Sequence, residues 1–411
     1  MSTEHSKRAA KFTADVEKTT WHDATFWSVR QKRDKMAHEL PEWEDLRELA
    51  SEIKMHTITH LADYLDVFSK NLESRGVKVH WAKDAQEFNE IVLGILNDHH
   101  VKKMVKSKSM LTEECEMNPY LEKHGIDVVE TDLGERIIQL LGQKPSHIVM
   151  PAIHLKREEV GKMFEEKGIS KEIGNYDPTY LTRCARHHLR DQFMEAGAGM
   201  TGCNFGVAEM GDCVVCTNEG NADMTTSMPK LHIVAMGIEK LVPDYKSLAV
   251  FQRLLCRCGT GQPTTAFTSH FRQARPGAEM HVVLVDNGRS DILADKDHWQ
   301  TLKCMRCGAC MNTCPVYRRS GGYSYTYFIP GPVGVNLGML KNPQKYADNV
   351  SACTLCLSCD NVCPSKVGPG SQIYVWRQSL DKLGKADPIK KAMSSGMEYL
   401  FDRPSLYTTA L

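Results

Sequence analysis

Eight cysteines fall into two copies of one spaced run, and this limits what the chain can fold around more than any other feature. Cys304, Cys307, Cys310 and Cys314 precede Pro315, and Cys353, Cys356, Cys359 and Cys363 precede Pro364. Each copy reads C-x2-C-x2-C-x3-C-P, the run by which bacterial ferredoxins hold [4Fe-4S] cubes. The close spacing lets three thiolates of one tight turn face the same cube, while the fourth opens a helix leading to the other cube. Proline suits that position because the first helical turn needs no N–H there. The expected wiring is therefore crossed. One cluster takes Cys304, Cys307, Cys310 and Cys363, and the other takes Cys353, Cys356, Cys359 and Cys314. Zinc is the competing reading, but zinc sites usually pair two cysteines with two more at a distance. Two [4Fe-4S] clusters are the expected cofactors.

Composition narrows the class further. Among 411 residues, 51 basic and 51 acidic side chains cancel, so no global field draws the chain to nucleic acid or to an anionic membrane. The N-terminus lacks an apolar core segment, and no run of about 18 apolar residues occurs, so neither a signal peptide nor a spanning helix is expected. A cytoplasmic location follows, and there fifteen cysteines, an odd number, favour metal ligation over a disulfide framework.

The 38 residues from 315 to 352 that separate the motif copies exceed a small ferredoxin hairpin, and Gly and Pro punctuate them. We expect a mainly helical two-cluster module over 296–380, with Tyr323, Tyr325, Tyr327 and Phe328 packing around it, and a tail over 381–411. Residues 301–411 carry 13 Lys and Arg against 6 Asp and Glu. That surplus either offsets anionic clusters or simply keeps the surface soluble.

Upstream, helical and strand-like blocks alternate, the pattern of a mostly parallel α/β sheet. Residues 1–75 read as a helical arm packing on an α/β domain over 76–295. Within the arm, Leu46, Leu49, Ile53, Leu61, Leu65, Phe68 and Leu72 predict one amphipathic helix over 42–75, stopped by Gly76. Strands are expected at 77–81, 101–105, 126–129, 147–150, 231–236 and 280–285. Helices are expected at 85–96, 112–123, 155–167, 178–196 and 247–257.

Gly197, Gly199 and Gly202 match G-x-G-x-x-G, but the run follows a helix and leads into a strand-like segment at 204–208. A dinucleotide fingerprint needs the reverse order, so nicotinamide binding is not expected there. Beyond it, Glu209, Asn218, Glu219, Asn221, Thr225 and Thr226 either line a cleft or, at 218–221, form a turn between strands. His187 and His188 read as surface or packing residues. No catalytic base or nucleophile can be assigned. Cys213-x2-Cys216 and Cys256-x-Cys258 could supply four thiolates to a third metal. Alternatively, Val214 and Val215 mark a buried strand whose two thiols face opposite sides; Cys203 belongs to the same unassigned group.

Several blocks together make the chain resemble the lactate utilisation protein B family. They are VKSKSMLTEEC at 105–115, ETDLGERIIQL at 130–140, PSHIVMPAIH at 145–154, TNEGN at 217–221, HVVLVDNGRS at 281–290, and CMRCGACMNTCPVY followed by PGPVG at 330–334. The resemblance implies a lactate-utilisation α/β domain, similar to the sugar-isomerase and CoA-transferase group, followed by the two-cluster module. It implies an electron-transfer subunit that passes electrons from L-lactate, as it becomes pyruvate, toward the respiratory chain. It also implies two partner subunits, a cysteine-rich protein and a second lactate-utilisation-domain protein, and leaves room for peripheral membrane association. The rival expectation is an α/β domain that itself binds or transforms a small acid or acyl thioester, with Glu209 or Glu219 as its carboxylate. A third is an iron-sulfur subunit of another 2-hydroxy acid dehydrogenase.

Overall fold

The segments 231–237 and 280–285 are apolar at nearly every position, as strands are when both faces of a parallel sheet are covered. In the computed structural model, which describes residues 3–410, they lie side by side at the centre of the molecule. The strands are β1 Lys78–Ala82, β2 Lys103–Lys106, β3 Asp127–Glu130, β4 Ala198–Gly202, β5 Phe205–Val207, β6 Asp212–Thr217, β7 Leu231–Gly237, β8 Leu241–Val242, β9 Phe267–Phe271 and β10 Glu279–Val285. Six form an all-parallel sheet in the order β1-β10-β7-β4-β2-β3. The other four form a mixed sheet, β8-β5-β6-β9.

The two-residue period of a strand divides the main sheet's core cleanly. Ile233, Ala235, Val283 and Val285 pack with Phe88, Val92 and Leu96 of helix Ala85–Asp98. Val234, Met236, Val282 and Leu284 pack on the opposite face with Leu61, Leu65, Phe68 and Leu72. Helix starts are set locally. Asp84, Asp132, Asp177 and Asp244 each accept the N–H three residues on, at 2.9, 3.0, 3.0 and 2.7 Å, and such caps contribute about 1 kcal/mol apiece.

Four expectations need correction. The helix over 42–75 is two helices, Trp43–Thr59 and Leu61–Glu73, because His60 leaves helical geometry at φ −111°, ψ 32°. The helix over 112–123 is likewise split, into Met110–Glu114 and Met117–Lys123, by Glu116 at φ +50°. Residues 147–150 form no strand. The His147 ring sits inside its own loop, its Nδ1 accepting the N–H groups of Val149 and Met150 at 3.0 Å each, so the backbone polar groups turn inward rather than to a neighbouring strand. Residues 218–221 connect β6 to helix Asn221–Ser227, not to another strand. The glycine-rich run is β4 itself. Gly199 is required there because a Cβ would lie 1.8 Å from the carbonyl oxygen of Thr225, on the helix that crosses the strand.

Short helices make up the part beyond residue 300, wrapped around an apolar core that contains Tyr317, Tyr325, Tyr327, Val333 and Met339. Phe26, from the long helix Val16–His38, enters this same core, so the N-terminal segment braces the cysteine motifs. No helix among the described residues is long and apolar enough to cross a membrane.

Candidate metal centre

Both cysteine motifs adopt one backbone. The second residue after the first cysteine is left-handed in each copy, Arg306 at φ +64° and Leu355 at φ +55°. The fourth is as well, Gly308 at φ +79° and Leu357 at φ +57°. Three of these four are not glycine, and αL geometry in side-chain-bearing residues is retained where the surroundings enforce it. Its effect here is to turn backbone N–H groups inward. Arg306 N–H points at Cys304 Sγ at 3.4 Å, and Leu355 N–H points at Cys353 Sγ at 3.3 Å. The fourth cysteines are treated alike, Cys314 Sγ accepting from Tyr317 N–H at 3.5 Å and Cys363 Sγ from Val367 N–H at 3.3 Å. Such donors stabilise thiolate charge and tune a bound cluster.

Of the eight thiols, Cys363 is electrostatically coupled to Cys304 and Cys307 of the first motif, and Cys310 to all three. A small apolar cavity is walled by Cys304, Cys307, Cys310 and Cys363 together with Ile148, Val333 and Pro364. Cys314 of the first motif lies instead near Cys353 and Cys356, and Cys359 lies near both Cys310 and Cys314. Four thiols around an apolar cavity, with amide donors aimed at sulfur, suit a [4Fe-4S] cube. The two sets differ in exposure: Cys307 and Cys363 are buried, whereas Cys356 is exposed.

Two arginines from the N-terminal arm, which sequence reasoning missed, reach this region. Arg47 donates to the carbonyl of Cys363 from Nε at 3.1 Å and from Nη2 at 3.0 Å, while Arg33 donates to the carbonyl of Val362 at 3.3 Å. Both are buried. The available signal was position: Arg33 falls between Val29 and Ala37 on the buried face of its helix, where an unpaired surface charge has no reason to be.

A larger cavity of about 280 Å³ opens at the carboxyl ends of the parallel strands, where ligands of open α/β sheets bind. Ser107 to Leu111 follow β2, Asp132 follows β3, Gly202 to Asn204 follow β4, and Glu239 and Lys240 follow β7. Its wall toward the cysteine motifs is Ile148, Val149, Arg306 and Cys307. The cavity therefore touches the loop between the first two cysteines.

Polar residues singled out from the sequence divide at this cavity. Asn218, Glu219 and Asn221 line it. Glu209 is exposed in a 3-10 turn away from it, Thr225 is buried beneath Gly199, and Thr226 bonds its own helix. Burial and the neighbouring Asp132 push the Glu219 carboxyl up to about 7. His187 is exposed, and His188 meets Arg136 at 2.9 Å. Cys213, Cys216, Cys256 and Cys258 do not converge. Cys213 lies in the core under helix Leu61–Glu73, Cys216 and Cys256 face the cavity with Cys203, and Cys258 is buried in the same core as Cys307. Among the described residues these thiols form no compact metal-binding group.

Known proteins agree with both halves of this architecture. Residues 65–290 match the LUD domain and residues 300–367 the 4Fe-4S dicluster domain. The chain is 40% identical to Lactate utilization protein B of Oceanobacillus iheyensis, over 92% of this chain and 80% of that protein. It is 42% identical to the protein of that name from Macrococcus caseolyticus, over 82% and 72% respectively. This chain belongs to the lactate utilisation protein B family. A third family member, from Shouchella clausii, is 43% identical over 80% of this chain. Among solved structures, a DUF162 family protein from Deinococcus radiodurans is 13% identical, covering 55% of this chain and 98% of its own, at a TM-score of 0.31. In this chain the 4Fe-4S dicluster domain follows the LUD domain, the order that the resemblance implied.

Proposed function

We propose that the chain is the iron-sulfur electron-transfer subunit of a cytoplasmic, multi-protein system that oxidises L-lactate to pyruvate and passes the electrons toward the respiratory chain. The observation that carries this reading is that Cys363 lines one small cavity with Cys304, Cys307 and Cys310, in a chain whose relatives are named for lactate utilisation. Cys304, Cys307, Cys310 and Cys363 would hold one [4Fe-4S] cluster, and Cys353, Cys356, Cys359 and Cys314 the other. Each cluster carries one electron, so a pair would accept the two electrons of lactate oxidation in sequence.

The protein's own residues give the pair a direction. Cys307, itself buried, stands at the wall of the larger cavity, whereas Cys356, with Leu357 beside it 42% exposed, stands at the surface. The first site is thus the entry side and the second the exit. Arg33 and Arg47 place positive charge beside the first site and favour its reduced state. The partners would be a cysteine-rich protein and a second LUD-domain protein, with the two-electron chemistry at a group one of them holds. A ligand-binding role for the α/β layers is the second reading, favoured by the cavity itself.

Anaerobic purification with iron and sulfide counting, EPR and an L-lactate assay tests the proposal. Eight irons per chain, two interacting EPR signals on dithionite reduction and no lactate oxidation by the isolated chain are expected. Zinc in place of iron, or lactate turnover without partners, would overturn it.

A further inference from the structure

The cavity at the strand ends is bipolar. At the end nearest the cysteine motifs stand Arg289, Arg306 and Lys240 against Glu114 and Glu239, three cations to two anions. Arg289 is consumed by the two glutamates: it donates to both Glu114 oxygens at 3.0 Å and to Glu239. Arg306 and Lys240 are left over. Among the described residues neither side chain has a hydrogen bond or an ion pair, and Arg306 Nη1 is fully buried without a partner. Glu114 and Glu239 lie near Arg306, and Glu239 near Lys240, but two anions against three cations leave one positive charge over, and a buried guanidinium N–H without a partner is costly, so the arrangement favours an added anion.

The far end carries the opposite character. Glu219 and Asp132 sit there, near Lys108, whose ammonium is taken by the carbonyl of Val149 at 2.6 Å. Glu219 accepts only the N–H of Leu133, at 3.2 Å. Its pKa of about 7 lets this carboxyl accept or donate a hydrogen bond near neutrality. The volume, about 280 Å³, is at the small end of ligand sites, which run from roughly 300 Å³ upward.

We propose that this cavity binds a small 2-hydroxy or 2-oxo carboxylate, its carboxylate held by Arg306 and Lys240 and its C2 oxygen facing Glu219. The two-ended lining is what selects this class. An inorganic anion needs only the cationic end, and a simple fatty acid has nothing to offer Glu219. The choice of a lactate-like acid rests on the lactate-utilisation reading, whereas the anion site rests on Arg306 and Lys240 alone. Because Arg306 belongs to the loop between Cys304 and Cys307, an anion bound to it would also shift the potential of the first site.

The test is calorimetry on the anaerobically prepared, iron-loaded full chain, with L-lactate, pyruvate, acetate and inorganic phosphate as titrants. Lactate or pyruvate should bind saturably and at least tenfold more tightly than acetate or phosphate. Arg306→Gln and Lys240→Gln should each weaken binding at least tenfold, and Glu219→Ala should abolish the preference over acetate. Arg306→Gln could disturb the cysteine loop, so Lys240→Gln, outside the motif, is the deciding variant if iron is lost. Phosphate binding as tightly as lactate, unchanged binding in Lys240→Gln, or no binding by eight-iron protein would overturn the inference while leaving the relay intact. Protein without iron would instead count against the relay.

Discussion

Replacing Lys106 with Met should expose how the α/β layers stay assembled under the cavity. Lys106 ends β2 with no solvent exposure, its ammonium 2.7 Å from Glu130, 3.6 Å from Glu113 and 3.0 Å from the Thr112 hydroxyl. Burial alone would lower its pKa, but attraction to Glu130 and Glu113 outweighs that and holds it charged. Glu135 is part of the same group, and burial together with Glu130 pushes its carboxyl up to about 8. Met keeps the length of the stem and removes the cation that pairs with Glu130 and Glu113. Breaking a buried ion pair on one side costs about 3–5 kcal/mol. For a unit the size of the matched LUD region, at roughly 2–4 °C per kcal/mol, the melting temperature should fall by about 6–20 °C. The sign of the pH dependence follows from proton binding. Without the cation the native carboxyls hold more protons than before, so the variant loses stability with rising pH faster than the parent. The gap should be widest at pH 8 and narrow toward pH 5. Adding Glu130→Gln should recover much of the loss. Thermal unfolding of iron-loaded protein at both pH values is the assay. A loss below about 1 kcal/mol, or equal losses at pH 5 and pH 8, would refute the reasoning.

Cys363→Ser should perturb the EPR signal of the first site and spare the second, and Cys314→Ser the reverse; the opposite pattern would rule out crossed ligation. Arg47→Met, which removes a buried cation beside Cys363, should lower the potential of that cluster by on the order of 50 mV in an EPR redox titration, the direction being the decisive readout. The parent's urea midpoint should fall from pH 6.5 to pH 8, because Glu135 and Glu219 have folded pKa values of about 8 and about 7, above their unfolded ones. It should also fall, less steeply, below pH 6.5, because burial holds His147 and His232 down to about 3 and His154 to about 4, so three histidines protonate first in the unfolded chain against two glutamates already protonated in the native one. Glu135→Gln should flatten the alkaline limb and steepen the acid one down to about pH 4.5, where the unfolded glutamate would itself protonate. Gly199→Ala should lower the melting temperature by several degrees, since its methyl would collide with the Thr225 carbonyl.

What the sequence made legible was whatever depends on local spacing. Both cysteine runs, the parallel α/β layers and most strand positions follow from period and motif, because β7 and β10 are apolar on both faces and each cysteine run is one turn long. Breaks inside apparently continuous helices were illegible, since His60 and Glu116 carry no breaker chemistry and their geometry is imposed by packing. The loop at 147–150 looked like a strand because Ile148, Val149 and Met150 are apolar; they serve instead as packing between the two halves. At the cavity, Glu219 was found among polar residues, but Arg306 was hidden inside a motif that assigns meaning only to its cysteines. Arg47 and Glu239, separated from their partners by long stretches of chain, had no local pattern to betray them.

The loop around His147 joins the two halves through a neutral ring, beside the bond from Tyr317 to the Ser146 carbonyl at 2.7 Å. The ring Nε2–H donates to Asn312 Oδ1 at 3.1 Å, inside the first cysteine motif between Cys310 and Cys314, and Gly308 lacks a Cβ that would press on the ring at 2.9 Å. The same loop supplies Ile148 and Val149 to the cavity wall, and Ile148 also lines the four-thiol cavity. A molecule synthesised during iron shortage would therefore lose more than its redox groups. With the cysteine turn slack, the His147 seat and the floor of the neighbouring chamber loosen together, and recognition of a small acid becomes conditional on the metal supply.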